Sequence, residues 1–425
     1  MKHVRHKNTE LSTKIGPVFY LFLAYIVIWY AQLAERWSEM TGGLRFEAII
    51  TVVLLSAVLL GKKDKSKQLS AGFLPFIISY LIVLLIQVAN SWDSSYSWFI
   101  FVERVLKYSV MAIFIIHFVD TPQKLKIFIF VWLLVAFKIL SEGVIGGITG
   151  SMSWQNQGVM RLRGSTELYG HPNSLSQFAI GVIPFIYYLY PTFKDKLWLR
   201  VSGIILLLSS IYCVLGTNSR TGFLGVIFFL LFIFWKSHIR DKMKLILFTT
   251  LILLPIAVSY IPEETKGRFS SIFGGKEAEG NSKEGRIEMY SQGWHIFTEH
   301  PLGLGLGNYR LANYQYYNFS QEVHNLALEA LTHIGIHGFL IFTILILKIR
   351  SVLISIIKKA DNINNKNPDH EFIIATAKAL LVYLYLRLFF GIFGMDLYSM
   401  NWWFIIGSSS VLFTLIMNNK VETSK

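Results

Sequence analysis

One cysteine in 425 residues, Cys213, leaves no disulfide within the chain and no cysteine-based metal cluster to staple a fold. Sitting inside an apolar run, it reads as a small buried hydrophobe. Charge is scarce as well, at 16% of residues where soluble domains carry about a quarter. Acidic residues are the scarcer sign, 26 against 40 Lys and Arg, which leaves a net charge of +14. No basic soluble domain with base-stacking aromatics accompanies that charge, so nucleic acid is excluded as the partner. Histidines grouped in an H-E-x-x-H spacing are also absent, which argues against a zinc-protease type of metal site. Neither a repeat period nor a low-complexity tract is found.

What is present is apolar sequence: 53% of residues are hydrophobic and the mean hydropathy is +0.48. Runs of the length needed to cross a hydrocarbon core give about twelve spans, each helical because lipid offers no partner to backbone N–H and C=O groups. Their centres fall near Ala24, Leu54, Leu81, Met111, Val131, Gly181, Leu206, Phe228, Ile252, Phe339, Val382 and Ile406. The expected fold is therefore all-α, one polytopic membrane domain over residues 1–425. The first run has a basic flank like a signal peptide but no small-residue cleavage site after it, and reads as a retained span. Basic residues follow the membrane: Lys62, Lys63, Lys65 and Lys67, then Lys124 and Lys126, Lys194, Lys196 and Arg200, Lys236 to Lys244, and Lys348 to Lys359 occupy every second connection. That positive-inside pattern places both termini in the cytoplasm and the intervening connections outside. The segment 361–371, rich in Asn and Lys, reads as a cytoplasmic loop.

Residues 262–323 form the one long polar loop, expected on the outer face before the tenth span. Asn281 with Glu284 resembles a capping box, and Ile287, Tyr290, Trp294 and Phe297 recur at helical spacing until His300-Pro301. This predicts a short amphipathic helix on the membrane surface or over a cavity. Its Arg286 reads either as a solvated surface residue or as an anion ligand. The run Gly303-Leu304-Gly305-Leu306-Gly307 reads as a turn more readily than as a phosphate cradle, since no strand precedes it.

Other polar residues sort to the same outer side: Arg161, Arg163, Glu167, His171, Arg220 and Asp396. Arg220 follows Asn218 and Ser219, either of which can cap a helix. A cation in a first helical turn is opposed by the dipole unless an anion binds there, the alternative being an arginine snorkelling to water. His324, Asn325, Glu329, His333 and His337 are spaced to share one face of the tenth helix. His324 lies at the water boundary, where a neutral imidazole can act as a base, whereas His333 and His337 read as a polar packing seam.

His324-Asn325, nine residues, then Gly335-Ile336-His337-Gly338 fits the pattern H-[NSQ]-x9-G-x-x-[GTY], and so resembles the O-antigen ligase superfamily of ligases, O-antigen polymerases and bacterial O-oligosaccharyltransferases. Ser219-Arg220-Thr221-Gly222, Gly170-His171-Pro172-Asn173 and His300-Pro301-Leu302-Gly303 are similar to further family segments in the same order, over approximately residues 155 to 345. Ligases often carry R-x3-L in the long loop, whereas here Arg286 is followed by Tyr290, which bears on the subtype. The resemblance implies a metal-independent glycosyltransferase of the bacterial inner membrane, with no cofactor. It would take a glycan from undecaprenyl diphosphate and transfer it, facing the periplasm, to lipid A-core or another hydroxyl acceptor. On that basis His324 is the expected base and Arg220, Arg286 and Arg163 the expected diphosphate ligands. Asn325, Glu329, His171 and Asn173 are the expected support. A polysaccharide transporter or flippase is the alternative of another class. It would favour broken helices and midplane charges, often in related halves.

Overall fold

The computed structural model describes residues 15–40, 42–43, 45–61, 72–156, 159–236, 282–361 and 367–423. Its helices are α1 (Pro17–Tyr30), α2 (Leu33–Arg36), α3 (Phe46–Leu60), α4 (Leu74–Ala89), α5 (Ser94–Ile100), α6 (Lys107–Phe118), α7 (Pro122–Ile148), α8 (Pro172–Leu189), α9 (Leu197–Gly216) and α10 (Arg220–Lys236). They continue as α11 (Ser282–Glu299), α12 (Tyr309–Tyr317), α13 (Leu326–Asp361), α14 (Pro368–Gly391) and α15 (Met400–Thr423). A π-helical stretch, Phe101–Leu106, joins α5 to α6 in one rod. An antiparallel hairpin of β1 (Ser153–Asn156) and β2 (Val159–Leu162) pairs Ser153 with Leu162. No pattern in the sequence announces it.

Length and composition secure five spans among the described residues: α7, α9, α14, and the Leu326–Lys359 and Met400–Met417 stretches of α13 and α15. At about 1.5 Å per residue α14 reaches about 36 Å, more than a ~30 Å hydrocarbon core, while α1 reaches only about 21 Å. Eleven of the expected centres fall inside helices. The ninth, near Ile252, lies outside the described residues. Proline and a side-chain cap start several of the long helices: Thr121 Oγ1 accepts from Lys124 N at 3.2 Å ahead of Pro122, and Asn367 Oδ1 from His370 N at 2.8 Å ahead of Pro368.

The most enclosed helices are α14 and α15; α8 and α13 pack on α14, and α6 on α15. Trp132, Phe185 and Phe404 fill the centre, with Trp132 4.8 Å from Phe185 and 5.2 Å from Phe404 between ring centroids. Rings of this size dominate the apolar area removed from water or lipid. Cys213 is buried, as its apolar setting implies, and its thiol donates to Leu140 O at 3.4 Å.

The two ends of the bundle differ chemically. At one end Lys126, near the start of α7, pairs with Asp369 at the start of α14, and Lys348 lies beside Gly72. At the other end α13 packs against a cap formed by α11 and α12, and the starts of α8 and α10 lie together. That cap has its own small core of Ile296, Leu304, Tyr309, Ala312 and Val323.

Candidate active site

The first part of the site is a buried knot that ties three chain segments together. Arg161, on β2, donates Nε–H to Thr217 O at 3.0 Å and Nη2–H to Asn173 Oδ1 at 2.9 Å. The same Asn173 oxygen accepts from Ser219 Oγ at 2.8 Å, and Ser219 Oγ accepts from Gly222 N at 3.1 Å. Ser219 is thus the cap of α10. Asn218, in the left-handed region at φ 47°, instead donates to Met160 O at 2.8 Å. His171 caps α8, its Nδ1 accepting from Asn173 N at 3.1 Å, which fixes the unprotonated nitrogen. Two helix starts are thereby held side by side, and helix N-termini favour anions through free N–H groups and the dipole.

Arg220 is the first residue of α10 and half-buried. Arg163 stands exposed just beyond β2 and takes no part in the Arg161 knot. The sequence could not separate these two strand neighbours. It is Arg161 that is structural and buried, and Arg163 that is free of that duty.

His324 does not begin the helix, as its spacing suggests, but precedes it in the left-handed region at φ 46°. The helix start is supplied by Asn325, whose Oδ1 accepts from Ala327 N at 3.0 Å and Leu328 N at 3.1 Å. His324, at a left-handed φ before the cap, therefore lies outside the regular helix that carries Glu329. Although His324 keeps an open side, the surrounding protein desolvates its imidazole, and the Arg286 cation adds to this in holding it below the ordinary value of 6.5. His171 is lowered too, by burial first, then by Arg161 and by His324 itself. His171, Arg161, His324 and Arg286 therefore share one neighbourhood.

Arg286 is brought there by α11. Among the described residues it makes no hydrogen bond or ion pair. Four residues on, Tyr290 donates its hydroxyl to Ile392 O at 2.8 Å, the same carbonyl that accepts from Asn325 Nδ2 at 3.2 Å. The residue that departs from R-x3-L thus ties the arginine helix and the histidine turn to one atom. Gly293 permits the close approach, since a Cβ there would lie 2.7 Å from Val323. Contrary to the apolar pattern, Gln292, Gly293 and Ile296 face the protein while Ile287 and Trp294 point outward.

The glycine run is a turn, with Gly303, Gly305 and Gly307 all at positive φ. Gly335 breaks α13 at φ 68°, ψ 179°, and the run fills the break. Leu304 N donates to Thr332 O at 2.8 Å, Gly305 N to His333 O at 3.1 Å, and Ile336 N to Pro301 O at 3.0 Å. A Cβ on Gly303 would meet Gly335 N at 2.7 Å, and one on Gly335 would collide with the Leu302 carbonyl. The break also divides the expected histidine seam. His333 Nδ1 meets Tyr398 Oη at 3.0 Å, whereas His337 Nε2 meets Gln87 Nε2 at 3.1 Å on α4. Glu329 is buried, and its Oε2 accepts from Asp396 N at 2.9 Å and Leu397 N at 3.1 Å; Asp396 in turn pairs with Arg387. These contacts make Glu329 a brace for the 392–399 turn.

The O-antigen ligase family model matches residues 203–343, a stretch that contains Arg220, Arg286 and His324. The chain is also 22% identical over 262 residues to the teichuronic acid biosynthesis protein TuaE of Bacillus subtilis (strain 168). That match covers 55% of this chain and 51% of the other, so the chain spans about half the length of the curated relative it matches.

Proposed function

We propose that the chain is a membrane protein of polysaccharide biosynthesis in the O-antigen ligase superfamily, and that it transfers an oligo- or polysaccharide from undecaprenyl diphosphate to an acceptor hydroxyl on the outer, periplasmic face. The observation that carries the reading is the meeting of a lowered-pKa His324 with Arg286, a cation lacking a carboxylate partner among the described residues, beside the capped start of α8. In this reaction neutral His324 takes the proton of the acceptor hydroxyl as its oxygen attacks the anomeric carbon. The anomeric C–O bond to the diphosphate breaks, and the diphosphate leaves with the electron pair. Charge developing on it is met by Arg286 and Arg220, with Arg163 at the margin, and by the helix starts. His171 and Asn173 set the α8 start; Asn325 caps the helix that follows the histidine turn, and Glu329 braces the 392–399 turn. The role falls to residues that need no nucleotide sugar and no metal. A lipid donor suits this end of the bundle because its tail stays in the bilayer while its head enters the cap.

Lipid A-core is the acceptor of a ligase. A second reading of the same chemistry is a polymerase that uses another lipid-linked glycan as acceptor. The glycan profile of a deletion strain separates them. Lost capping of a lipid core marks the ligase, short repeats mark the polymerase, and an unmodified protein marks an oligosaccharyltransferase. An unchanged surface glycan contradicts all three.

A further inference from the structure

A second charged group lies on the other side of the histidine turn. Glu322 precedes the fully buried Val323, which anchors the turn in the cap core, and His324 follows it. The Glu322 side chain is only 23% exposed, yet among the described residues its carboxylate accepts no hydrogen bond. Its nearest cation, Arg310 on α12, stands with Nε at 4.0 Å, the outer limit of an ion pair. Arg104 faces it from the π-helical stretch between α5 and α6, itself exposed. Tyr309, Glu329 and Tyr398 are the other titratable groups that feel this carboxyl.

Burial pushes the Glu322 carboxyl up to about 7, against the pull of Arg310 and Arg104. A covered carboxyl without an internal donor costs free energy unless something supplies one. The charges around His324 trace to Arg286, those around Glu322 to Arg310 and Arg104. The turn therefore divides two sets, and the two residues sit no more than ~7 Å apart along the chain. A transferase needs its acceptor on the side of the base that faces away from the leaving diphosphate.

We propose that Glu322, Arg310 and Arg104 form the acceptor subsite and hold hydroxyl and ring oxygens of the glycan that receives the transferred chain. This rests on the transferase reading above. Glu322 exchanges hydrogen bonds with sugar hydroxyls, the guanidinium groups donate to sugar oxygens, and the hydroxyl to be glycosylated is left beside His324. Arg104 lies in the π-helical stretch, and such stretches recur at functional sites.

The test uses the purified full-length protein and, as probe, the lipid-free repeat oligosaccharide released from the source cell's own surface glycan. Binding is titrated by native mass spectrometry, and transfer from lipid-linked donor is measured on the same samples. Glu322→Ala should weaken oligosaccharide binding by about tenfold or more, the loss of a hydrogen bond to a charged group. Glu322→Gln, which keeps an acceptor oxygen and adds donors, should lose less. Lipid-donor binding by both variants should match wild type, which also reports that they fold. His324→Ala should bind the oligosaccharide normally. Wild-type affinity in Glu322→Ala, an equal loss of donor binding, or no oligosaccharide binding by the wild-type protein would each overturn the subsite. A wild-type protein that binds the oligosaccharide through Glu322 and never transfers would instead overturn the transferase reading, leaving a glycan-binding site without the acceptor role.

Discussion

At the scale of single residues, the account depends on the proton of His324. Its imidazole is held below the ordinary value by burial and by Arg286, so it stays neutral through neutral pH. Activity should then fall only as pH drops through that lowered pKa. Arg286→Ala removes one of the two causes, and the acid limb of kcat/KM should move to higher pH while kcat also drops; an unmoved limb would detach Arg286 from the histidine. Arg220→Lys keeps charge but loses the planar fork, and should slow transfer if two phosphate oxygens are held at once. Tyr290→Phe leaves the ring and removes the bond to Ile392. It should weaken transfer with little change in expression, whereas full activity would make that hydroxyl incidental. Part of this was legible in the sequence: Ser219 is one of the two capping residues it offers for α10, whereas the spacing puts His324 on a helix that starts only after it. Glu322 and Arg104 were not, because a carboxyl made unusual by what covers it has no spacing to betray it, and its cation lies 218 positions upstream.

At the scale of elements, the decisive feature is the break in α13. Apolar periodicity runs straight through Gly335, so the sequence gives a continuous helix and a separate glycine turn, when each completes the other's hydrogen bonds. Gly335→Ala forces a Cβ into the Leu302 carbonyl in a backbone region that costs an ordinary L residue about 1–2 kcal/mol before any clash. The variant should melt at clearly lower temperature in detergent and lose transfer. A wild-type melting curve would mean that the wedge does not hold the site. The hairpin of β1 and β2 escaped notice for a related reason: four-residue strands in a polar connection carry no alternation long enough to read. For α11, Ile287 and Trp294 mark the outward face, while Ile296 enters the cap core and Gly293 fits against Val323 of the histidine turn.

At the scale of the whole molecule, the Lys and Arg bias of the sequence predicts which connections face the cytoplasm. Reporters fused near Lys65 or Lys242 should read as cytoplasmic and one near Lys276 as periplasmic; a cytoplasmic signal from the last would put the site in the wrong compartment. The helical character of eleven expected spans was legible because lipid leaves the backbone no other choice. How their starts converge was not, since it depends on Asn173, Arg161 and Ser219 meeting across three segments. The most direct measurement is glycan transfer in vitro, from lipid-linked donor, by purified wild-type and His324→Ala proteins with a chelator present. Wild type should transfer undiminished by the chelator, and His324→Ala should bind donor but transfer about 10²- to 10⁴-fold more slowly. Near-normal transfer by His324→Ala, or abolition by the chelator alone, would contradict the account.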